Sequence, residues 1–223
     1  MQFRFSALVL VALLGVSHEV YGADSALKGY KSPLVLLPPI EWADGDGSSP
    51  KEQAYFHGAL ETYGFILFSY WPRDTELEQQ FSDFRRCVED NKDRRWNLFG
   101  WLWGESLEAS AAAQLIRETI PLVCQEYAGK GRGGWNPPQI IGKREWQSYS
   151  STQRMFYVGA YVETALELMV LMQRSEDVTL LTQCMKEKGL DRILEELEGI
   201  NFEWQHPMPW TVSRAVGTSC KGS

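Results

Sequence analysis

The chain has 223 residues, of which 44% are hydrophobic and 23% are charged, and its net charge is −7 because Asp and Glu outnumber Lys and Arg. These values are typical of one or two globular domains and exclude a disordered chain, a collagen-like repeat and a protein with several membrane spans. Nucleic acid is also a poor candidate partner for an acidic chain without a basic tract, because phosphate is bound through Lys and Arg.

The first 22 residues predict a secretory signal peptide. Arg4 precedes an apolar run over residues 5–16, and small residues permit cleavage after Gly22. The run is too short to cross a hydrocarbon core of about 30 Å as a helix. Residues 23–48 then predict an extended arm that is interrupted by prolines. We therefore expect a periplasmic or secreted protein with no integral membrane span.

The four cysteines predict two disulfide bonds, because an exported chain folds in an oxidising compartment. They are far apart, with no CxxC spacing and no nearby His, so the sequence contains no zinc or redox motif. Cys87 lies 37 residues before Cys124, and Cys184 lies 36 residues before Cys220. These matched spacings favour the pairs Cys87–Cys124 and Cys184–Cys220, each within one half of the chain.

The two halves also match in sequence at an offset of 101 residues, which relates Ser49 to Ser150. Each of these serines has Glu or Gln three residues later, and this pattern is a capping box at the start of a helix. The set of matches indicates a tandem duplication. The other matched positions are Glu52 with Gln153, Tyr55 with Phe156, Phe56 with Tyr157, and Gly58-Ala59 with Gly159-Ala160.

Helical periodicity, capping residues and the near absence of alternating β-branched runs predict an all-α fold. We expect two tandem four-helix disulfide-bonded repeats, residues 49–128 and 146–223, joined by a Gly/Pro-rich linker at 129–145. The predicted helices are 50–71, 75–90, 92–103 and 107–127 in the first repeat, and 151–173, 177–188, 190–203 and 209–218 in the second.

Candidate catalytic chemistry is sparse. His57 and Glu61 are four residues apart on one helix face, but an acid–base pair also needs a nucleophile or a metal. The second half has Val158 in place of His57, so we expect this pair to be a surface ion pair. No HExxH or similar spacing occurs. We therefore predict a protein that is not an enzyme and has no catalytic residue, metal or cofactor.

The aromatic segment RRWNLFGWLWGE, residues 94–105, is the candidate partner-binding region. It has too many large apolar side chains for one narrow helix face, so some are exposed or cover the other repeat. Exposed Trp beside Arg is typical of protein interfaces, whereas a core between the repeats explains the same residues at least as well. The candidate partner-binding residues are Arg94, Arg95, Trp96, Trp101 and Trp103.

A Trp, then a capped helix with an aromatic-x-x-Gly motif, then a Cys in a later helix and a second Cys after it together resemble the Rap/Tai immunity family. This family consists of small, helical, disulfide-bonded periplasmic proteins that bind and block type VI secreted peptidoglycan amidases. The present chain resembles two copies of such a protein in tandem. The residues that carry the resemblance are Trp42, Tyr55, Gly58, Cys87 and Cys124, and in the second copy Trp146, Phe156, Gly159, Cys184 and Cys220.

The resemblance implies a non-catalytic exported binding protein whose partner is a secreted cell-wall hydrolase. An acidic surface would steer it towards a basic enzyme. The alternative is a housekeeping periplasmic helical module that binds a small apolar ligand or assists envelope assembly. A Trp-lined groove between the repeats would favour the ligand, and a protruding loop with exposed Trp or acidic residues would favour inhibition.

Overall fold

The computed structural model of the chain describes residues 49–70, 75–91, 120, 124–133, 139–200 and 206–220. Every regular element in these residues is helical and none is a strand, which confirms the predicted all-α class. The helices are α1 Pro50–Tyr70, α2 Thr75–Asn91, α3 Lys143–Ser148, α4 Ser151–Leu171, α5 Ser175–Gly199 and α6 Met208–Ser219, with a 3-10 turn at Gln125–Tyr127.

Several sequence predictions lie outside the described residues. These are the signal peptide and the extended arm (1–48), the helix at 92–103 and most of the helix at 107–127. Among the described residues, no helix combines the length and apolar character that a membrane crossing needs.

The starts of α1 and α4 follow the predicted caps. At α4, the Gln153 backbone N–H donates to Ser150 Oγ at 3.2 Å, and the Gln153 side chain accepts the Ser150 N–H at 3.0 Å. At α1, the Glu52 N–H donates to Ser49 Oγ at 3.3 Å, and Pro50 occupies the first helical position. Each serine therefore satisfies an N–H group that a helix start leaves without an intrahelical acceptor.

α5 bends where the sequence predicts a boundary between two helices. Gly189 has φ +72° and ψ 175°, so the helical path is broken between residues 188 and 190. A positive φ of this size suits glycine, because a Cβ would clash with the neighbouring carbonyl oxygen.

The centre of the described structure is the packing of α1 on α4, which is its most extensive helix–helix interface. α5 packs on α4, and α6 packs on both α5 and α1. α2 packs against α1. Nearly every residue over 54–64 and 157–168 is buried. A helix that is buried on all sides is a central helix and not a surface one.

Two disulfide bonds join the outer elements, with the predicted pairing. Cys87 in α2 is bonded to Cys124 beside the 3-10 turn, and their Cα atoms are 5.5 Å apart. Cys184 in α5 is bonded to Cys220 at the end of α6, with a Cα separation of 5.4 Å. No cysteine is left free. The bonded cysteines are 37 and 36 residues apart in sequence, which are the predicted separations.

Candidate functional site

The most unusual chemistry in the described residues is a buried carboxyl group, Glu61 in α1, which is 0% exposed. Glu61 Oε2 accepts a hydrogen bond from the Tyr157 hydroxyl of α4. Oε1 accepts the backbone N–H groups of Ile140 and Ile141, the second at 2.9 Å. The prediction of a surface ion pair between His57 and Glu61 is therefore wrong, because Glu61 points into the helix crossing and is held there by neutral donors.

A second tyrosine and glutamate repeat this contact in the opposite sense. The Tyr55 hydroxyl of α1 donates to Glu163 Oε2 of α4, and both residues are 0% exposed. Tyr157 and Glu163 follow Tyr55 and Glu61 by the same offset, 102 residues. The offset therefore converts one hydrogen bond into the other, with the tyrosine and the glutamate on opposite helices. Contacts across a two-fold interface are related in the same way.

α1 and α4 approach each other closely at Gly58, which lies in sequence between Tyr55 and Glu61. A Cβ placed on Gly58 would be 2.5 Å from the Tyr157 carbonyl oxygen and 3.2 Å from Ala160 Cβ. Gly58 and Ala160 are themselves related by the offset of 102 residues. The absence of a side chain at Gly58 lets the backbones meet, and this brings each tyrosine within reach of the opposite glutamate.

Burial dominates the electrostatics of this cluster. Removal from water raises the pKa of Glu61 to about 7, and the three hydrogen bonds that it accepts oppose this rise by favouring the charged form. Burial and the nearby Glu61 also raise the pKa of Tyr157 well above its ordinary value. The tyrosine therefore stays protonated and neutral at physiological pH.

Aromatic side chains close the side of the cluster that faces α3. The Trp146 ring meets the Tyr157 ring edge-on, with centroids 5.6 Å apart, and lies 6.1 Å from the Tyr149 ring. His57 Nδ1 is 3.2 Å from the Tyr149 hydroxyl, and the Arg154 guanidinium covers Trp146 at 5.5 Å. Burial is also the main cause that raises the pKa of Tyr149. The rim is therefore a set of mutually supporting rings around the buried acid.

This arrangement is suited to holding helices together. A general acid or base needs access to a substrate, and both carboxyl groups are fully buried. Within the described ranges, no group of three or more His, Cys, Asp or Glu side chains could hold a metal ion. The chemistry of the cluster is therefore the fixing of helix position by buried, satisfied polar groups.

A separate cluster fixes the glycine-rich turn that follows Cys124. The Asp83 carboxylate of α2 accepts the backbone N–H groups of Gly129 and Gly131, each at 2.6 Å. Arg86 donates to the Lys130 carbonyl oxygen at 2.5 Å. Gly131 lies so close to α2 that a Cβ would be 2.4 Å from Ser82 Oγ. The turn is therefore clamped onto α2 by its backbone.

A third arrangement of rings lies at the start of α6, where His206 and Trp210 are both half-buried. The His206 and Trp210 rings are stacked, with centroids 3.9 Å apart and planes 13° from parallel. The Arg214 guanidinium lies 4.9 Å from the centre of the Trp210 ring, which is an ordinary cation–π distance. Trp210 and Arg214 are four residues apart in α6, and His206 precedes the helix.

The predicted site residues have two different outcomes. All four cysteines form the predicted disulfide bonds. The predicted partner-binding residues Arg94, Arg95, Trp96, Trp101 and Trp103 lie outside the described residues.

The sequence contains a signal for the buried cluster that the offset of 101 residues does not capture. At an offset of 102, Tyr55 aligns with Tyr157 and the pair Glu61-Thr62 aligns with Glu163-Thr164. The spacing Tyr-x5-Glu-Thr therefore occurs in both central helices. No protein-family model, curated protein or solved structure matches this chain.

Proposed function

We propose that the chain is an exported, non-catalytic binding protein that inhibits a secreted peptidoglycan amidase. The observation that carries this proposal is a pair of disulfide bonds with nearly equal spacing, 37 and 36 residues, one in each half of a chain whose two central helices pack tightly together. Disulfide bonds form and persist in oxidising compartments, which supports export. The bonded cysteines and Gly58 are among the residues that resemble the Rap/Tai immunity family.

The proposal includes a tandem origin for the two halves. The second half has helices over 151–171, 175–188, 190–199 and 208–219 when α5 is divided at Gly189, close to the four that its sequence predicts. The exchange of Tyr–Glu hydrogen bonds between α1 and α4 supports a duplication, because related halves make equivalent contacts. In this proposal the two repeats resemble two immunity-like subunits joined in one chain.

A binding role also agrees with the chemistry of the described helices. The buried carboxyl groups Glu61 and Glu163 are held by tyrosine hydroxyls, and both lie away from solvent. A rigid scaffold of this kind lowers the entropy that a binding surface loses on association.

The proposed binding surface is the Trp-rich segment with Arg94, Arg95, Trp96, Trp101 and Trp103. Trp and Arg are enriched among the residues that dominate binding energy at protein interfaces. The net charge of −7 would speed the approach of a basic enzyme at low ionic strength.

The test is capture of a partner by the mature, oxidised protein from envelope extract at moderate salt, with mass spectrometry of the retained material. We expect one peptidoglycan hydrolase near a 1:1 ratio. The double variant Trp101→Ala/Trp103→Ala should lose it. Leu180→Ala is the matched control, because Leu180 is an apolar residue of α5 that is 56% exposed and lies outside the proposed surface.

Two outcomes would overturn the proposal. Recovery of a lipid or small apolar molecule without a protein partner would favour the ligand carrier. Retention of the same hydrolase by the Trp101→Ala/Trp103→Ala variant would show that another surface binds it.

A further inference from the structure

Glu61 lies where α1, α4 and the segment leading into α3 meet, and we call this segment, residues 139–142, the connector. The Glu61 carboxyl accepts the N–H groups of Ile140 and Ile141, so the connector backbone lies directly against it. Gln139 is exposed and Ile140 is half-buried, whereas Glu61 is 0% exposed. The connector is therefore more exposed to solvent than the carboxyl group that it contacts.

The observed geometry accommodates both protonation states of Glu61. When ionised, the carboxylate accepts the Tyr157 hydroxyl and the two connector N–H groups. When neutral, Oε1 can still accept both N–H groups, and a proton on Oε2 can be donated to the Tyr157 oxygen. The ionised form carries the larger cost, because a buried charge is deprived of water.

Among the described residues, the groups that favour a negative charge on Glu61 are neutral donors, namely the Tyr157 hydroxyl and the two connector N–H groups. The tyrosines that interact with the Glu61–Tyr157 pair, Tyr149 and Tyr161, are neutral. Glu145 of α3 is an acid, and it raises the pKa of Tyr149. On the other helices that pack against α1, Asp83 of α2 holds the glycine turn and Arg214 of α6 covers Trp210. The titratable groups around the acid are Tyr157 and Tyr161 of α4, Tyr149 before α4, Glu145 of α3 and His57 of α1.

We propose that Glu61 is a proton-controlled latch on the connector, which stays closed while Glu61 is protonated and opens locally when ionisation draws water to the carboxylate. The raised pKa of Glu61, about 7, places this change near neutral pH. An open connector returns the carboxyl to water and towards its ordinary pKa of 4.5. Because the open state then releases its proton more readily, higher pH favours opening. The latch is independent of the proposed partner.

Amide hydrogen exchange on the full oxidised chain tests the latch. Protection factors of the Ile140 and Ile141 amides are measured by NMR between about pH 5.5 and pH 8 and corrected for the intrinsic pH dependence of exchange. We expect them to fall by roughly 30-fold over this range, as linkage between these two pKa values requires. Glu61→Gln cannot ionise and should give protection that does not change with pH. Glu163→Gln is the matched control and should keep the wild-type response.

A second pair of variants keeps the test decisive if Glu61→Gln fails to fold. Tyr157→Phe removes a hydrogen bond that favours the ionised carboxylate, so the midpoint of the change should move to higher pH. Tyr55→Phe, which removes the equivalent bond to Glu163, should leave the midpoint in place. Protection that stays constant or increases with pH in the wild-type protein would overturn the latch, as would a midpoint that Tyr157→Phe does not move.

Discussion

Gly58 sets the distance between the two central helices. A methyl group at this position would lie 2.5 Å from a backbone oxygen, which cannot rotate away as a flexible side chain could. We predict that Gly58→Ala lowers the free energy of unfolding by about 1–3 kcal/mol, because overpacking outweighs the better helix propensity of alanine.

Gly217→Ala in α6 is the matched control for this prediction. No heavy atom lies within 4 Å of the position that its Cβ would take, so alanine should raise the free energy of unfolding by roughly 0.5–1 kcal/mol. Urea unfolding of both variants measures the two changes. Equal effects would mean that Gly58 is not at a tight helix contact.

The raised pKa of Glu61 also makes global stability depend on pH. The folded state keeps this proton up to about pH 7, whereas the unfolded state releases it near 4.5. The contribution is therefore fully present below pH 4.5 and is lost as pH rises through 7. Between about pH 5 and pH 8 we predict that the wild-type protein loses about 2–3 kcal/mol relative to Glu61→Gln.

Denaturant unfolding at a series of pH values measures this difference. Subtracting the Glu61→Gln curve removes the titration of all other groups, and Glu126→Gln serves as a control at an exposed position. A wild-type curve parallel to that of Glu61→Gln would contradict the prediction.

At the scale of elements, α1 and α4 are joined by two equivalent hydrogen bonds between buried side chains. Tyr55→Phe and Tyr157→Phe each remove one donor from a carboxylate that has no access to water. We predict that each substitution costs about 1–3 kcal/mol of stability, with similar values for the two. Thermal and urea unfolding would measure both, and a large cost for one with none for the other would contradict the equivalence of the contacts.

The disulfide bonds act on the outer elements. The Cys184–Cys220 bond joins α5 to the end of α6, and the two cysteines are 36 residues apart in sequence. We predict that Cys184→Ala/Cys220→Ala lowers stability by about 2–4 kcal/mol, chiefly because the unfolded chain becomes less constrained. Cys87→Ala/Cys124→Ala should have a similar cost, because its loop is almost the same length. A negligible change in either variant would show that the packing alone holds those helices.

Elements that depend on local chemistry could be predicted from the sequence. The caps at Ser49 and Ser150 and the break at Gly189 follow from residue types within a few positions of one another. The disulfide pairs follow from the nearly equal sequence separation of the cysteines in the two halves. These features are local, or nearly so, and their physical cause can be recognised without knowing how the helices pack.

The helix crossing could not be predicted in the same way. The caps and the Gly-Ala pairs align at an offset of 101 residues, whereas the buried Tyr and Glu align at 102. One residue corresponds to about 100° around a helix, so the first alignment assigns the buried side chains to different faces. At an offset of 101 residues, His57 aligns with Val158, so the His57–Glu61 pair is predicted to be a surface ion pair. The burial of Glu61 depends on tertiary contacts with α4, which the local periodicity of α1 does not reveal.

At the scale of the whole molecule, the proposed inhibition of a peptidoglycan amidase is the central claim. The most direct test adds the mature, oxidised protein in increasing amounts to the peptidoglycan amidase proposed as its partner and measures the release of cell-wall peptides. We predict that release falls to background near one equivalent of the protein, and that Trp101→Ala/Trp103→Ala does not inhibit. Undiminished release at a large excess of the wild-type protein would contradict the proposed function.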